Sequence, residues 1–432
     1  MAGTKDRPRK AKSSGKRDAP RGTGAGQNRN RTAPAGRAPA PENTIPAKGG
    51  GPTKIDIPAK TGASGQKPRH IPAHRGRQAY AAIDLGTNNC RLLIARPSGE
   101  HFVVIDAFSR VVRLGEGLAH TGRLSDAAMD RALGALRVCA DKLRKRGVHL
   151  ARSVATEACR RAANGDAFIQ RVHRETGIRL DIITAQEEAR LAVLGCHILL
   201  ETGEGPAMIF DIGGGSTELV LVDSSETVPR ILDWQSVPWG VVSLTESIGP
   251  IADSPDARAT AYERMRRCVR DSFEAFEGRI APLRARGVDQ DNIRLLGTSG
   301  TVTTLASVHL GLPQYDRRAV DGLIVPSASM REISARLATL SPAERTGLPC
   351  IGRERADLVV AGCAILETIL DLWPAARLGI ADRGIREGIL RSLMAAEGDA
   401  ERSLAALRKS RQPPPEPADT GQARTRQGQE RA

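Results

Sequence analysis

The chain has 432 residues, with 64 Lys+Arg against 49 Asp+Glu and a formal net charge of +15. That length supports two or three domains with substantial cores, and so basic a chain would suggest nucleic-acid binding if the charge were spread over the fold. Residues 1–80 hold 18 Lys+Arg and 4 Asp+Glu, whereas 81–397 hold 39 and 40, so a polyanion contact can be assigned only to the N-terminal arm.

Seven cysteines, odd in number and without a CxxC motif, argue against a disulfide framework and against a structural zinc site. The chain opens without an apolar h-region and contains no run of about 18 apolar residues, so a cytoplasmic protein with no membrane contact is expected. Residues 1–78 carry no aromatic side chain, and every Phe, Tyr and Trp lies between Tyr80 and Trp373. Such a composition predicts a disordered basic arm over 1–78. A folded core over 79–397 follows, read as domains at 79–200 and 201–397, with the last helix expected to pack back on the first. The stretch 398–432, interrupted by RQPPPEPAD, is read as a disordered tail.

In chain order, QAYAAIDLG and RLLIARP predict strand, tight loop and strand. HFVVIDAF and VVRL predict further strands, and SDAAMDRALGALRVCADKLRKRG a helix capped by Ser125. RSVAT is a strand followed by a helix from EACRRA. RLDIITA is a strand followed by the helix QEEARLAVLGCHILLE. AMIFDIGGGSTELVLVD repeats the opening pattern, and a helix through ERMRRCVRDSFEAFEGR follows. NIRLLGTSGT is a strand entering a glycine turn, and helices at 327–339 and 353–372 and the strand RLGIAD precede a last helix. Alternating strands and helices indicate an α/β protein.

The most informative feature is a duplication. Asp84-Leu-Gly-Thr-Asn-Asn-Cys-Arg aligns with Asp211-Ile-Gly-Gly-Gly-Ser-Thr-Glu, and each acid ends a hydrophobic strand before a turn of small residues. Two such loops could face each other across a cleft. Glycines 213, 214 and 215 let backbone amides close on an anion, and Ser216 and Thr217 add hydroxyls. Asp84 and Asp211 suit Mg²⁺, which takes few carboxylates together with waters and substrate phosphates. The turn at Gly300, before a helix, is a third candidate anion site. Each feature by itself also fits an ordinary hairpin or helix start.

AIDLGTNN, ATEACRRAANG, ITAQEEARL, FDIGGGSTEL, GTSGT and DRGIREG, in this order, resemble the exopolyphosphatase/guanosine pentaphosphate phosphohydrolase (Ppx/GppA) family over about residues 79–395. The resemblance is to its short, two-domain members, since no His-Asp signature of the helical domains found in long relatives follows. It implies two actin-like, ribonuclease H-like domains and Mg²⁺-dependent (or Mn²⁺-dependent) release of terminal phosphate from polyphosphate or pppGpp. A homodimer is also implied.

Residue by residue, the resemblance implies that Glu188 is the general base and that Asp211 positions metal and water. Asp84 and Glu218 would complete the metal site. It implies a phosphate-binding set of Gly86, Thr87, Asn88 and Arg91 in the first loop and Gly213, Gly214, Gly215, Ser216 and Thr217 in the second. Arg160 would lie near the phosphates. Glu187 reads alternatively as a helix-opening acid. Two other functions remain open, an actin-like kinase or ATPase and a non-catalytic regulator binding an alarmone or polyanion. The choice between polyphosphate and pppGpp is also open.

Overall fold

The computed structural model describes residues 78–410 except 100, 227 and 285–292, with side chains described to residue 397 apart from Arg284. The basic arm and the residues after 410 lie outside the described residues.

Strand β1 (Ala79–Leu85) is buried along its whole length, as a near-continuous apolar run requires. It forms a hairpin with β2 (Asn89–Ser98), which pairs antiparallel with β3 (His101–Val111). The short helix α1 (Leu118–Thr121) and the long α2 (Asp126–Lys145) follow. Ser125 caps α2, its hydroxyl accepting from the Ala128 amide at 3.3 Å. Strand β4 (Val148–Ala155) returns parallel to β1, then come α3 (Glu157–Arg161), α4 (Gly165–Thr176), β5 (Asp181–Ile182) and α5 (Ala185–Cys196).

The second half runs β6 (Pro206–Ile212), β7 (Thr217–Asp223), β8 (Arg230–Val237), α6 (Val241–Ile248), α7 (Pro255–Arg284), β9 (Arg294–Thr298) and α8 (Gly300–His309). Then come α9 (Arg317–Val320), β10 (Ile324–Pro326), α10 (Ser327–Thr339), α11 (Pro342–Thr346), α12 (Arg353–Ala356), α13 (Val359–Leu372), β11 (Arg377–Ala381) and α14 (Ile385–Ser410).

The two sheets have orders β3-β2-β1-β4-β5 and β10-β11-β9-β6-β7-β8. Read from β8, the second sheet repeats the first position by position, with β10 added at its edge. The register repeats too. Asp84 pairs with Arg91 across its hairpin and with Val154 on the parallel strand; Asp211 pairs with Glu218 and with Thr298. The duplicated sequence is therefore a duplicated topology, and the fold is α/β with the two sheets expected.

Four local expectations change, the first being that the single helix expected over 353–372 is broken after Ala356 into α12 and α13. VVRL forms no strand of its own, because β3 runs unbroken from His101 to Val111. RLDIITA keeps only Asp181 and Ile182 as an edge strand, since β4 offers just Val154 and Ala155 for pairing; Leu180 and Ile183 are buried beside it. Helix α14 continues past 397 to Ser410.

The core explains how the site is held. Ile83, Leu85, Leu92 and Ile94 pack on one face of the first sheet with Leu133 and Leu136 of α2. On the other face Tyr80, Ala82 and Leu93 meet Leu191 of α5 and Ile389, Leu390 and Leu393 of α14. Helix α5 also turns Ala189, Val193 and Cys196 to Ile209, Val220 and Leu296 of the second sheet. It is thus wedged between the sheets with α14 against it.

That contact is backbone on backbone. A Cβ on Gly388 would fall 2.0 Å from the Leu191 carbonyl oxygen, and one on Gly195 2.0 Å from that of Gly384. Gly388→Ala should therefore cost about 1–3 kcal/mol of stability, the usual overpacking range, and lower activity by shifting α5. Urea unfolding of the variant checks this, and unchanged stability would show that the two helices have slack.

Candidate active site

The hairpin loops β1–β2 and β6–β7 meet in a cleft of about 930 Å³, counted to its open mouth. The fit between them is close. A Cβ on Gly215 would stand 1.9 Å from a Glu157 carboxylate oxygen and 2.7 Å from the Thr87 hydroxyl. The Thr87 hydroxyl donates to Glu157 at 3.1 Å, and Arg161 holds the other Glu157 oxygen at 2.8 Å.

Each loop is braced from behind. Thr87 and Asn88 offer their carbonyls to the amides of Gly115, Val112 and Arg113. Gly213 and Gly214 offer theirs to Val241 and Val242 at the start of α6, and Ser243 donates to the Gly215 carbonyl at 2.9 Å. With the carbonyls committed, the amides of Thr87, Asn88, Gly214 and Gly215 have no protein acceptor among the described residues. Opposed free amides of this kind suit an anion.

Of the residues expected from sequence, the cleft is lined by Asp84, Gly86, Thr87, Asn88, Arg91, Glu188, Asp211, Gly213, Gly214, Gly215, Ser216, Glu218 and Gly300. Two do not line it. Thr217 is fully buried and its hydroxyl donates to the Trp239 carbonyl at 2.6 Å. Strand alternation turns Thr217 away from the face that carries Ser216 and Glu218. Arg160 donates to the Ile183 carbonyl at 2.8 Å and to Glu188 Oε2 at 3.1 Å. Its guanidinium thus holds the carboxylate of Glu188. The Ser216 hydroxyl is likewise committed, donating to Glu218 Oε1 at 2.6 Å alongside Ser236 at 3.0 Å.

Glu188 enters the cleft from the first turn of α5, which Thr184 caps by accepting from the Glu187 amide at 3.2 Å. Glu187 points elsewhere: Arg152 and Arg190 hold its carboxylate at 2.7–3.0 Å. Burial raises the Glu187 carboxyl, but these arginines outweigh it and keep the group below its ordinary range.

The cleft acids behave oppositely. Burial pushes Glu188 well up, with Glu218 adding repulsion and Arg160 opposing it. Burial lifts Asp211 to about 6 against Arg91, and lifts Glu218 to about 7 with Asp211 repelling it. Asp84 is raised by burial despite Arg91 and Arg386 nearby. Asp84 Oδ1 and Asn88 Oδ1 are buried without a partner.

A divalent cation fits this donor set. Desolvated carboxylates repelling one another, one with an orphaned oxygen, lack positive charge. Among the described residues no three His, Cys, Asp or Glu side chains are grouped to hold a metal ion, so protein carboxylates would supply only part of its shell. Mg²⁺ suits such an open arrangement, because it keeps waters and substrate phosphates in its shell.

Several cleft residues lie outside the expected set. Glu157 follows Thr156 at the end of β4, as the duplicated topology places Gly300 after β9. Its signal was present in ATEACRR. Arg355, on α12, lines the cleft and donates to Thr304 Oγ1 at 2.8 Å. Burial holds its guanidinium below the ordinary arginine range, and Arg91 nearby lowers it further. Ser299 adopts φ 84° and ψ −173° at the entry to α8, a region costing a non-glycine residue about 1–3 kcal/mol.

The model of the Ppx/GppA phosphatase family matches residues 93–397. Exopolyphosphatase 2 of Mycobacterium tuberculosis is 32% identical over 328 residues, covering 72% of this chain and 98% of that protein. A guanosine-5'-triphosphate,3'-diphosphate pyrophosphatase of Aeromonas hydrophila is 28% identical over 326 residues, and the match spans 74% of this chain and 60% of that protein. The solved Ppx/GppA family member of Aquifex aeolicus aligns with TM-score 0.59 and 27% identity, over 74% of this chain and 98% of its own. No helix among the described residues is long and apolar enough to cross a membrane.

Proposed function

The chain belongs to the Ppx/GppA phosphatase family and is a hydrolase of phosphoanhydride bonds, and from that premise we propose that it releases terminal orthophosphate from inorganic polyphosphate or pppGpp in a Mg²⁺-dependent (or Mn²⁺-dependent) reaction. The observation that carries this reading is the meeting of two duplicated loops with the carboxylates of Asp84, Glu157, Glu188, Asp211 and Glu218 around one cleft.

The terminal phosphoryl group lies against the free amides of the two loops, with Arg91 and Arg355 balancing its charge. Glu188, held by Arg160, takes a proton from a water whose oxygen attacks the terminal phosphorus. The bridging P–O bond breaks, its electron pair stays with the shortened chain, and orthophosphate forms. Asp84 and Asp211 would hold the divalent cation, with Glu218, kept by Ser216 and Ser236, beside them, and the bound cation would neutralise charge on the transferred group.

The test is phosphate release from polyphosphate and from pppGpp with Mg²⁺, Mn²⁺ or excess chelator. Release from at least one substrate, abolished by chelator and independent of ADP, is expected. Release from neither would refute the proposal, and dependence on ADP would favour the kinase reading.

A further inference from the structure

A second, smaller cavity of about 340 Å³ lies behind the acids, lined among others by Asp382, Arg383 and Arg386. Asp84, Arg91, Asp211 and Ser299 line both this cavity and the active cleft, so the two adjoin across the carboxylate pair. Three guanidiniums, those of Arg91, Arg383 and Arg386, converge on it from β2, the β11–α14 connection and the first turn of α14. Arg383 is engaged, donating to Asp321 at 2.7 Å. Arg91 and Arg386 make no hydrogen bond or ion pair to protein among the described residues, although both stand close enough to Asp84 to act on its charge.

A partly buried arginine without an acceptor is the unusual feature. Its neighbour Glu387 takes its hydrogen bonds from the Gly384 amide at 3.0 Å and from Arg317 at 2.9 Å, and meets Arg386 only through its charge. The cavity also carries three carboxylates, which balance the three guanidiniums. A divalent cation held by Asp84 and Asp211 would tip that balance to positive.

We propose that this rear cavity is a second anion subsite that takes orthophosphate, with Arg386 and Arg91 as its ligands, and that the product passes into it from the cleft. The inference rests on the phosphatase reading above. The space, counted to its open mouth, is small and suits a compact tetrahedral anion rather than a nucleotide or a polyphosphate chain. A site reached across the reacting centre lets product leave while a polyanionic substrate still fills the front.

Orthophosphate inhibition of the full chain tests this. In the wild type, inhibition against polyphosphate should be mixed rather than competitive, because the front site and the rear site are both open to phosphate. Arg386→Gln should raise the inhibition constant at the rear site roughly tenfold, as expected for losing a charge-assisted contact. Its KM for polyphosphate should change less than about twofold, and Arg386→Lys should recover part of the loss. Calorimetric titration of Mg²⁺-loaded wild type and Arg386→Gln with inorganic orthophosphate reads the rear site as the difference between them, without turnover, and keeps the proposal testable if neither substrate is hydrolysed. Purely competitive inhibition, unchanged orthophosphate affinity in Arg386→Gln, or a KM rising in step with the inhibition constant would overturn the assignment. The last outcome would place Arg386 in the substrate site.

Discussion

Glu188→Gln is expected to lower kcat roughly 10²–10⁴-fold, the usual range for loss of a general base, with little change in KM. The amide keeps the shape of the side chain, and its carbonyl oxygen can still accept from Arg160, which now bonds Oε2 at 3.1 Å. Helix α5 stays seated, because its cap and its buried Leu191 and Val193 are untouched. What goes is the site that accepts a proton from water. Substrate binding should not suffer, since the lost negative charge repelled phosphate.

The pH profile gives a second readout. A carboxyl raised by burial and by Glu218 is protonated at acid pH and ionises only above the ordinary glutamate range. Wild-type kcat should therefore fall as pH drops through that raised value. The limb belongs to the coupled set of acids rather than to one residue, but Glu188→Gln should remove most of its dependence on proton abstraction. Glu187→Gln should cost far less, because Glu187 is held outside the cleft by Arg152 and Arg190. Loss of turnover in Glu187→Gln with normal turnover in Glu188→Gln would mean that the wrong member of the pair had been chosen.

The contrast between these two acids shows what the sequence could and could not disclose. The strands ending at Asp84 and Asp211 were legible because an apolar run stopping at Asp-x-Gly has few other readings, and their repetition made a facing pair of loops plausible. Choosing Glu188 over Glu187 needed the family resemblance, since both sit in the first turn of one helix. Their different fates depend on Arg152 and Arg160, which arrive from β4 and α3. Thr217 belongs to the same run of motif residues yet leaves the cleft, because the period of two along β7 gives alternate residues to opposite faces. Arg355 had no local signal, and Arg386, although it lies in the DRGIREG motif, had nothing beside it to show that it faces the acids. Only folding brings α12 and the start of α14 to the acids.

Asp211→Asn should abolish turnover and yet stabilise the metal-free protein above neutral pH. In the folded chain Asp211 titrates at about 6 against an ordinary value of 3.8, burial being the main cause. Between those values the native state retains a proton that the unfolded state has released. The group's contribution to stability is therefore full below pH 4 and lost as pH rises through 6. By pH 8 the difference amounts to at most about 3 kcal/mol, from roughly 1.4 kcal/mol per pKa unit; the partial opening of Asp211 to the cleft reduces it. Asparagine carries no charge to desolvate, so its advantage over the wild type should be small at pH 4 and grow towards pH 8. Mg²⁺ should reverse the order, since a cation that binds only the folded state stabilises it by mass action. The wild type, which keeps the carboxylate, should gain more than the variant. Thermal unfolding of both proteins at pH 4 and pH 8, with chelator or Mg²⁺, separates the two effects. An Asp211→Asn difference that ignores pH would mean that the carboxylate is not under strain. An equal Mg²⁺ shift in both proteins would mean that Asp211 does not hold the cation, whatever the variant does to turnover.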